Sequence, residues 1–199
     1  MADTLNTRPS LLVRLRDARD DEAWRQFVAI YSPAIQRFAK KRGLQDADAA
    51  DVQQTVLAAV SDGLARSNYD PAKGPFRGWL FGVVRHHLAR FRNQEQRIEH
   101  GGGDTAAVQR LQAEPDRDDA DSALWDRECK RQQFLWAAER VREQVEPASW
   151  QAFWQTAVEN RPAAEVAQEL NMRLGAVYTA KSRVLARIKT EIRTLTDDV

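Results

Sequence analysis

The chain has 199 residues, 43% hydrophobic and 30% charged, with a formal net charge of +1. That length admits one large domain or two small ones, and the apolar content is enough for a core, which excludes wholesale disorder. No run of about 18 apolar residues is available to cross a membrane, the first twenty residues lack the apolar stretch of a secretory signal, and the single cysteine, Cys129, excludes a disulfide framework or a cysteine-based zinc site.

The near-neutral total conceals an uneven distribution. Residues 1–97 carry 16 Lys/Arg against 11 Asp/Glu, residues 98–122 carry 2 against 7, and residues 123–199 carry 12 against 11. A basic block is therefore followed by an acidic one, a pattern that points to nucleic acid where the overall charge does not. The cytoplasm is the expected compartment.

Helical periodicity dominates and no segment alternates apolar and polar residues over a strand's length. Leu11, Leu12 and Leu15 form a short amphipathic turn after Pro9. Asp20 and Asp21 are suited to capping a helix that places Trp24, Phe27, Val28 and Tyr31 on one face. The next helix is expected from Pro33 to Arg42, with Gly43 as its C-cap. Another runs from Asp46 to Arg66, with Val52, Val56, Val60 and Leu64 one turn apart. The prolines and glycines of NYDPAKGPFRG break the pattern, and a further helix runs from Phe76 or Gly78 to Arg97. Residues 98–122, with a glycine triplet, a proline and an acidic run, are expected to be a mobile linker. Helices resume at Ala123 and continue to Thr194. The fold class is all-α: a domain over 1–97, a linker over 98–122 and a second domain over 123–199.

Three segments carry chemical information. In GWLFGVVRHHLARFRNQEQR, Leu80, Val84, Leu88 and Phe91 share one helical stripe at about 100° per residue. His86, Arg90, Asn93 and Arg97 share the opposite one, where side chains suited to phosphates and base edges would lie. An ordinary solvated helix face would give the same pattern. The preceding loop brings Tyr69, Phe76 and Trp79 close to Lys73 and Arg77, and rings interleaved with cations suit unpaired bases; rings plugging a core would also fit, most of all for Trp79. In RPAAEVAQELNMRLGAVYTAKSRVLARIK, Pro162 opens a short helix with Val166, Ala167 and Leu170 inward. Asn171 is suited to a left-handed turn, and a second helix from about Leu174 buries Val177, Ala180, Val184 and Ile188. Residues 171–193 hold six Lys/Arg against Glu191 alone. A short helix, a turn and a longer basic helix form a helix-turn-helix pattern.

Nothing catalytic competes with these segments. His86 and His87 diverge by about 100° on a helix and lack the i, i+4 spacing of a metal pair. His100 falls in the linker, Cys129 reads as a small buried hydrophobe, and Gly101–Gly103 lack the context of a phosphate loop. Trp125, Trp136, Trp150 and Trp154 have the spacing of core residues. No enzyme activity and no cofactor are expected.

The stretches DADAADVQQTVLAAV, YDPAKGPFRGWLFGVVRHHLARF and RPAAEVAQELNMRLGAVYTAKSRVLARI together resemble the extracytoplasmic-function sigma factors of the sigma-70 family. The first two resemble region two and the third resembles region four. This resemblance implies a transcription initiation factor whose partners are the β′ and β subunits of core RNA polymerase, promoter DNA and, in many relatives, an anti-sigma protein, with no membrane insertion. The helix bearing Asp48, Asp51, Gln54 and Thr55 would dock on polymerase. The minus-ten element would be met by Tyr69, Lys73, Phe76, Arg77, Trp79, Arg85, His86, Arg90, Asn93 and Arg97. The minus-thirty-five element would be met by Arg173, Tyr178, Lys181, Ser182, Arg183 and Arg187. His86 and Arg90 stand where many relatives carry Asn and Asp. Arg173 replaces the usual Ser or Thr, and Tyr178 and Ala180 replace common Lys and Arg. A stand-alone helix-turn-helix regulator is the alternative, and it leaves the first domain without a role.

Overall fold

A computed structural model describes residues 6–7, 9–17, 19–99 and 115–197, and their side chains over 11–17, 19–94 and 119–195. Its helices are α1 (Pro9–Arg14), α2 (Asp21–Lys41), α3 (Asp46–Ala65), a 3-10 turn (Pro71–Lys73), α4 (Phe76–Glu99), α5 (Pro115–Arg142), α6 (Pro147–Ala157), α7 (Ala163–Glu169) and α8 (Leu174–Leu195). Apart from the two-residue extended segments Asn6–Thr7 and Thr196–Asp197, every regular element among the described residues is helical, in agreement with the expected all-α class. The chain divides into two compact units, Met1–Gln132 and Gln133–Val199.

In the first unit α2 begins where the side chain of Asp20 accepts the N–H of Ala23 at 3.0 Å. The same carboxylate holds Arg14 through two hydrogen bonds, of 2.7 and 2.8 Å. The helix ends in a Schellman turn: Leu44 N–H donates to Ala39 O and Gly43 N–H to Lys40 O, with Gly43 at φ 95°. One correction concerns Pro33, expected to open a new helix. It lies inside a continuous α2. Its missing N–H leaves the Ala29 carbonyl without an intrahelical partner, but Ala29 is exposed and water is at hand. Burial of Phe27, Ile30, Tyr31, Ala34, Ile35 and Phe38 on either side carries the helix through. Val28, expected on the buried face, is 39% exposed; it follows Phe27 by 100° and leaves that stripe.

α3 buries Val52, Val56, Val60 and Leu64, and α4 buries Leu80, Val84 and Leu88. A larger correction concerns residues 115–132. The expected linker extended to 122, yet α5 opens at Pro115 and its residues to Gln132 complete the first unit. Trp125, 1% exposed, stacks on Phe81 at 6.0 Å and meets Phe38 edge-on at 5.8 Å. Its indole N–H donates to Arg77 O at 3.3 Å. Ion pairs surround it: Arg77 with Asp126 at 3.1 Å, Lys41 with Glu128 at 2.5 Å, and Arg42 with Asp121. The rest of the expected linker, residues 100–114, lies outside the described residues.

The second unit is built from residues 133–142 of α5 with α6, α7 and α8. Ala137, Ala138, Val141, Phe153, Val184 and Ile188 form one core cluster. A second cluster, Ala152, Val166, Ala167, Val177 and Ala180, packs α6, α7 and α8 together. α7 closes in another Schellman turn, with Asn171 at φ 50°, Met172 N–H on Ala167 O at 2.8 Å and Asn171 N–H on Gln168 O at 3.2 Å.

Two expectations follow. Trp125→Ala will remove about 3–5 kcal/mol of stability from the first unit, read as a shift in urea unfolding, because the ring is wholly enclosed. The second concerns acid. The Arg14 guanidinium, followed by the Ala23 N–H, lowers the Asp20 carboxyl to about 2. A lowered folded-state value contributes stability above the unfolded-state value of about 4, and that contribution is lost as pH falls toward 2. Asp20→Asn keeps a capping oxygen but loses the charge, so the gap between wild type and variant will narrow between pH 4 and 2 in urea melts.

Candidate nucleic-acid interface

Three surfaces carry the residues expected to bind partners. On α3, Asp51, Gln54 and Thr55 are exposed and Asp48 is half-buried. Ala58 and Asp62 are exposed too, so the spacing 51, 54, 55, 58, 62 gives one continuous outer stripe. The Thr55 hydroxyl donates to its own helix at Asp51 O, 2.8 Å away. The opposite side of α3 is the valine ridge in the core.

The loop between α3 and α4 differs from expectation. α3 ends with Ser67 at φ 56° and Asn68 N–H on Gly63 O at 2.8 Å. Asp70 caps the 3-10 turn by accepting the Ala72 N–H, and Gly74 takes φ 140°. This path turns the aromatic rings inward. Phe76 has no exposed surface and Tyr69 is 5% exposed, its hydroxyl donating to Gly74 O at 3.3 Å. Phe76 contacts Phe27, Tyr31, Tyr69 and Trp79, with ring centres 5.3 to 6.0 Å away. Arg77 is 4% exposed and paired with Asp126. Tyr69, Phe76 and Arg77, expected to face DNA, are therefore core groups in this structure. The aromatic spacing in the sequence was a packing signal, and the partner of Arg77, Asp126, lay in a segment expected to belong to the second domain. Lys73 remains exposed at the tip, and Trp79 is half-buried.

Along α4, His86 and Arg90 are exposed as expected, while Asn93 is half-buried. Arg85 lies over the Phe81 ring, 5.6 Å from its centre. The side chain of Arg97 lies outside the described residues. A shallow groove of about 460 Å³ lies between α3 and α4, floored by Gly63, Trp79, Gly82 and Val83 and rimmed by His86 and His87. Burial, and then the nearby His86 and Arg90, hold His87 below the usual imidazole range. The two histidine rings stand perpendicular with centres 5.3 Å apart.

On α8 the expected set separates into two groups. Arg173, Tyr178, Ser182 and Arg183 are exposed. The Arg173 carbonyl accepts the N–H groups of Ala176 and Val177, which starts the helix. Lys181 is half-buried with its ammonium on Thr156 O at 3.3 Å, and Arg187 donates to Gln144 O at 3.0 Å. These two cations are engaged within their own unit. Leu174, at the front of α8 and outside the expected set, is 45% exposed.

Among the described residues no three His, Cys, Asp or Glu side chains are grouped to hold a metal ion, and no helix is long and apolar enough to cross a membrane. Residues 27–98 match the family model of Sigma-70 region 2. No curated protein matches the chain. The matched span takes in most of α2, all of α3, the loop and nearly all of α4. Over that span the chain is similar to Sigma-70 region 2.

Cys129 lies under Trp125's turn of α5 with no exposed surface, and burial pushes its thiol far above the ordinary range. A maleimide at pH 8 will leave Cys129 unmodified in the native protein and label it after unfolding in urea. Native labelling at the rate of a free thiol would show that the first half of α5 is not docked.

Proposed function

We propose that the chain is a sigma factor of the extracytoplasmic-function type that binds core RNA polymerase in the cytoplasm and directs it to promoters with minus-ten and minus-thirty-five elements. The observation that carries this reading is the Sigma-70 region 2 match over residues 27–98, the span that also holds the outer stripe of α3 and the basic outer face of α4. On this reading the first domain covers 1–97 with the start of α5 packed on it, and the second covers the helices to 195. Asp48, Asp51, Gln54 and Thr55 dock on the β′ subunit. Lys73, His86 and Arg90 hold the opened minus-ten strand with the rim of Trp79. The loop rings support the loop from beneath and do not stack on bases.

The second unit serves as a helix-turn-helix. Its short α7, left-handed Asn171 and long α8 have the order that such a motif requires. The exposed cations Arg173 and Arg183 hold backbone phosphates or base edges. Two modules of modest individual affinity carried on one polymerase raise each other's effective concentration at the promoter. Bond formation belongs to the polymerase, so the chain needs no cofactor and acts without enzyme activity of its own. An anti-sigma protein is a further partner of this reading.

Run-off transcription with purified core polymerase on a library of promoter-like DNA tests the proposal. New transcripts sharing a pair of upstream elements are expected when the protein is added. Duplex binding without core binding would instead leave a stand-alone regulator. In the same system Arg183→Ala will lower upstream affinity and reduce the salt slope by about 1, whereas Lys181→Ala, whose ammonium is already on Thr156 O, will change the slope less.

A further inference from the structure

The front of α8 has an unusual surface. Residues 174–180, Leu-Gly-Ala-Val-Tyr-Thr-Ala, contain no charged side chain. Leu174 and Tyr178 are 45% and 56% exposed, two of the five large hydrophobic residues so exposed among the described residues. They are four residues apart, so they share one edge of the helix with Cβ atoms about 6 Å apart. Neither belongs to a core cluster of the second unit, and the fold gives no reason to keep them apolar. Gly175 between them points the same way. A Cβ built there meets nothing within 4 Å, so packing does not demand glycine, although glycine is less favourable than alanine within a helix. Its absence of a side chain keeps the surface low beside the two apolar groups, as close approach to a ligand requires.

The flanking residues indicate the ligand. Exposed Arg173 adjoins the apolar edge in sequence, and exposed Arg183 lies about 140° round the helix from Tyr178, on the other flank of the exposed face. An exposed helix face with apolar groups on one flank and a cation on the other fits a duplex groove, with phosphates at the walls and base edges on the floor. On that floor the one apolar group is the C5-methyl of thymine. Thr179 adds little polar readout, because its hydroxyl donates to Gly175 O at 2.8 Å.

We propose that Leu174 and Tyr178 form an apolar reader that recognises the 5-methyl groups of thymine in the upstream promoter element. The inference rests on the reading of the second unit as the duplex-binding module and names its specificity. Base pairs are stacked about 3.4 Å apart, so the two side chains cover about two steps. The upstream element then carries thymines at positions one or two steps apart, on either strand, and the methyl groups are needed.

The test uses the full-length protein assembled with core polymerase and a promoter duplex identified by run-off transcription. Each upstream thymine is replaced singly by deoxyuridine, which lacks only the methyl group. At one or two positions this will weaken binding about fourfold, the equivalent of about 0.8 kcal/mol for one buried methyl-sized group. Leu174→Ala or Tyr178→Ala will bind the thymine and deoxyuridine duplexes alike, while Tyr178→Phe will keep the discrimination. Equal binding by the wild type at every position, with Arg183→Ala still weakening the same duplex, would overturn the inference and leave the duplex-binding reading standing. Weakened polymerase assembly in Leu174→Ala, with methyl discrimination intact in the complexes that do form, would assign the edge to a protein contact and also overturn it. If neither Arg173→Ala nor Arg183→Ala alters upstream binding, the duplex-binding reading falls and the inference with it. The wild-type deoxyuridine series decides the matter even where a variant is poorly folded.

Discussion

The first unit depends on the enclosure of Phe76. Its ring has no exposed surface and packs against rings from α2, the loop and α4, with centres 5.3 to 6.0 Å away. Such edge and tilted contacts add to the burial of each ring. Because Phe76 is also the first residue of α4, this packing fixes where α4 starts and how the loop must run to reach it. Everything on the outer surface follows from that anchor. With the rings inward, the loop can present only its short polar turn and Lys73, and α4 can turn outward only the positions that leave the Leu80–Val84–Leu88 stripe.

The docked start of α5 is a second anchor of different character. Trp125 contributes apolar burial, while Arg77, Asp126, Lys41 and Glu128 bring charge into or beside the core. Buried ion pairs lose much of their attraction to desolvation and tend to specify an arrangement more than they stabilise it. Here the accounting is incomplete on both sides: Arg77 Nη1 and Glu128 Oε2 are buried with no hydrogen-bond partner among the described residues. Each such group costs about 1–3 kcal/mol. The tryptophan and its two phenylalanine neighbours offset that cost through apolar burial.

Most of the helical framework was legible in the sequence, because its apolar positions repeat at the helical period. The valines of α3, the Leu80–Val84–Leu88 stripe and the Val177–Ala180–Val184–Ile188 stripe all lie where periodicity puts them. Asp20 and Gly43 were legible as caps because each supplies what one helix end lacks. Two features were not legible, for physical reasons. Proline at 33 is a strong local signal against a continuous helix, and only burial on both sides outweighs it. Residues 115–122 are rich in acid and poor in apolar content, so local composition argues for a linker, and 123–132 read as the start of a second domain, while their partners Lys41, Arg42 and Arg77 are far away in sequence. The same distance hid the fate of Arg77 as a candidate site residue. The candidate surfaces on α3 and α8 were easier, since an outer face is the complement of a periodic core.

The approach of α3 to α4 leaves no latitude at Gly63. A Cβ there would lie 2.9 Å from the Trp79 ring, closer than such atoms stand in proteins. Positions 63 and 79 therefore act as one character in descent: a side chain can arise at 63 only in a lineage where 79 has already become smaller, and the large ring can persist only while 63 remains glycine. A side chain at 63 beside an unchanged Trp79 would have to push α3 and α4 apart, whereas a smaller residue at 79 beside Gly63 would not.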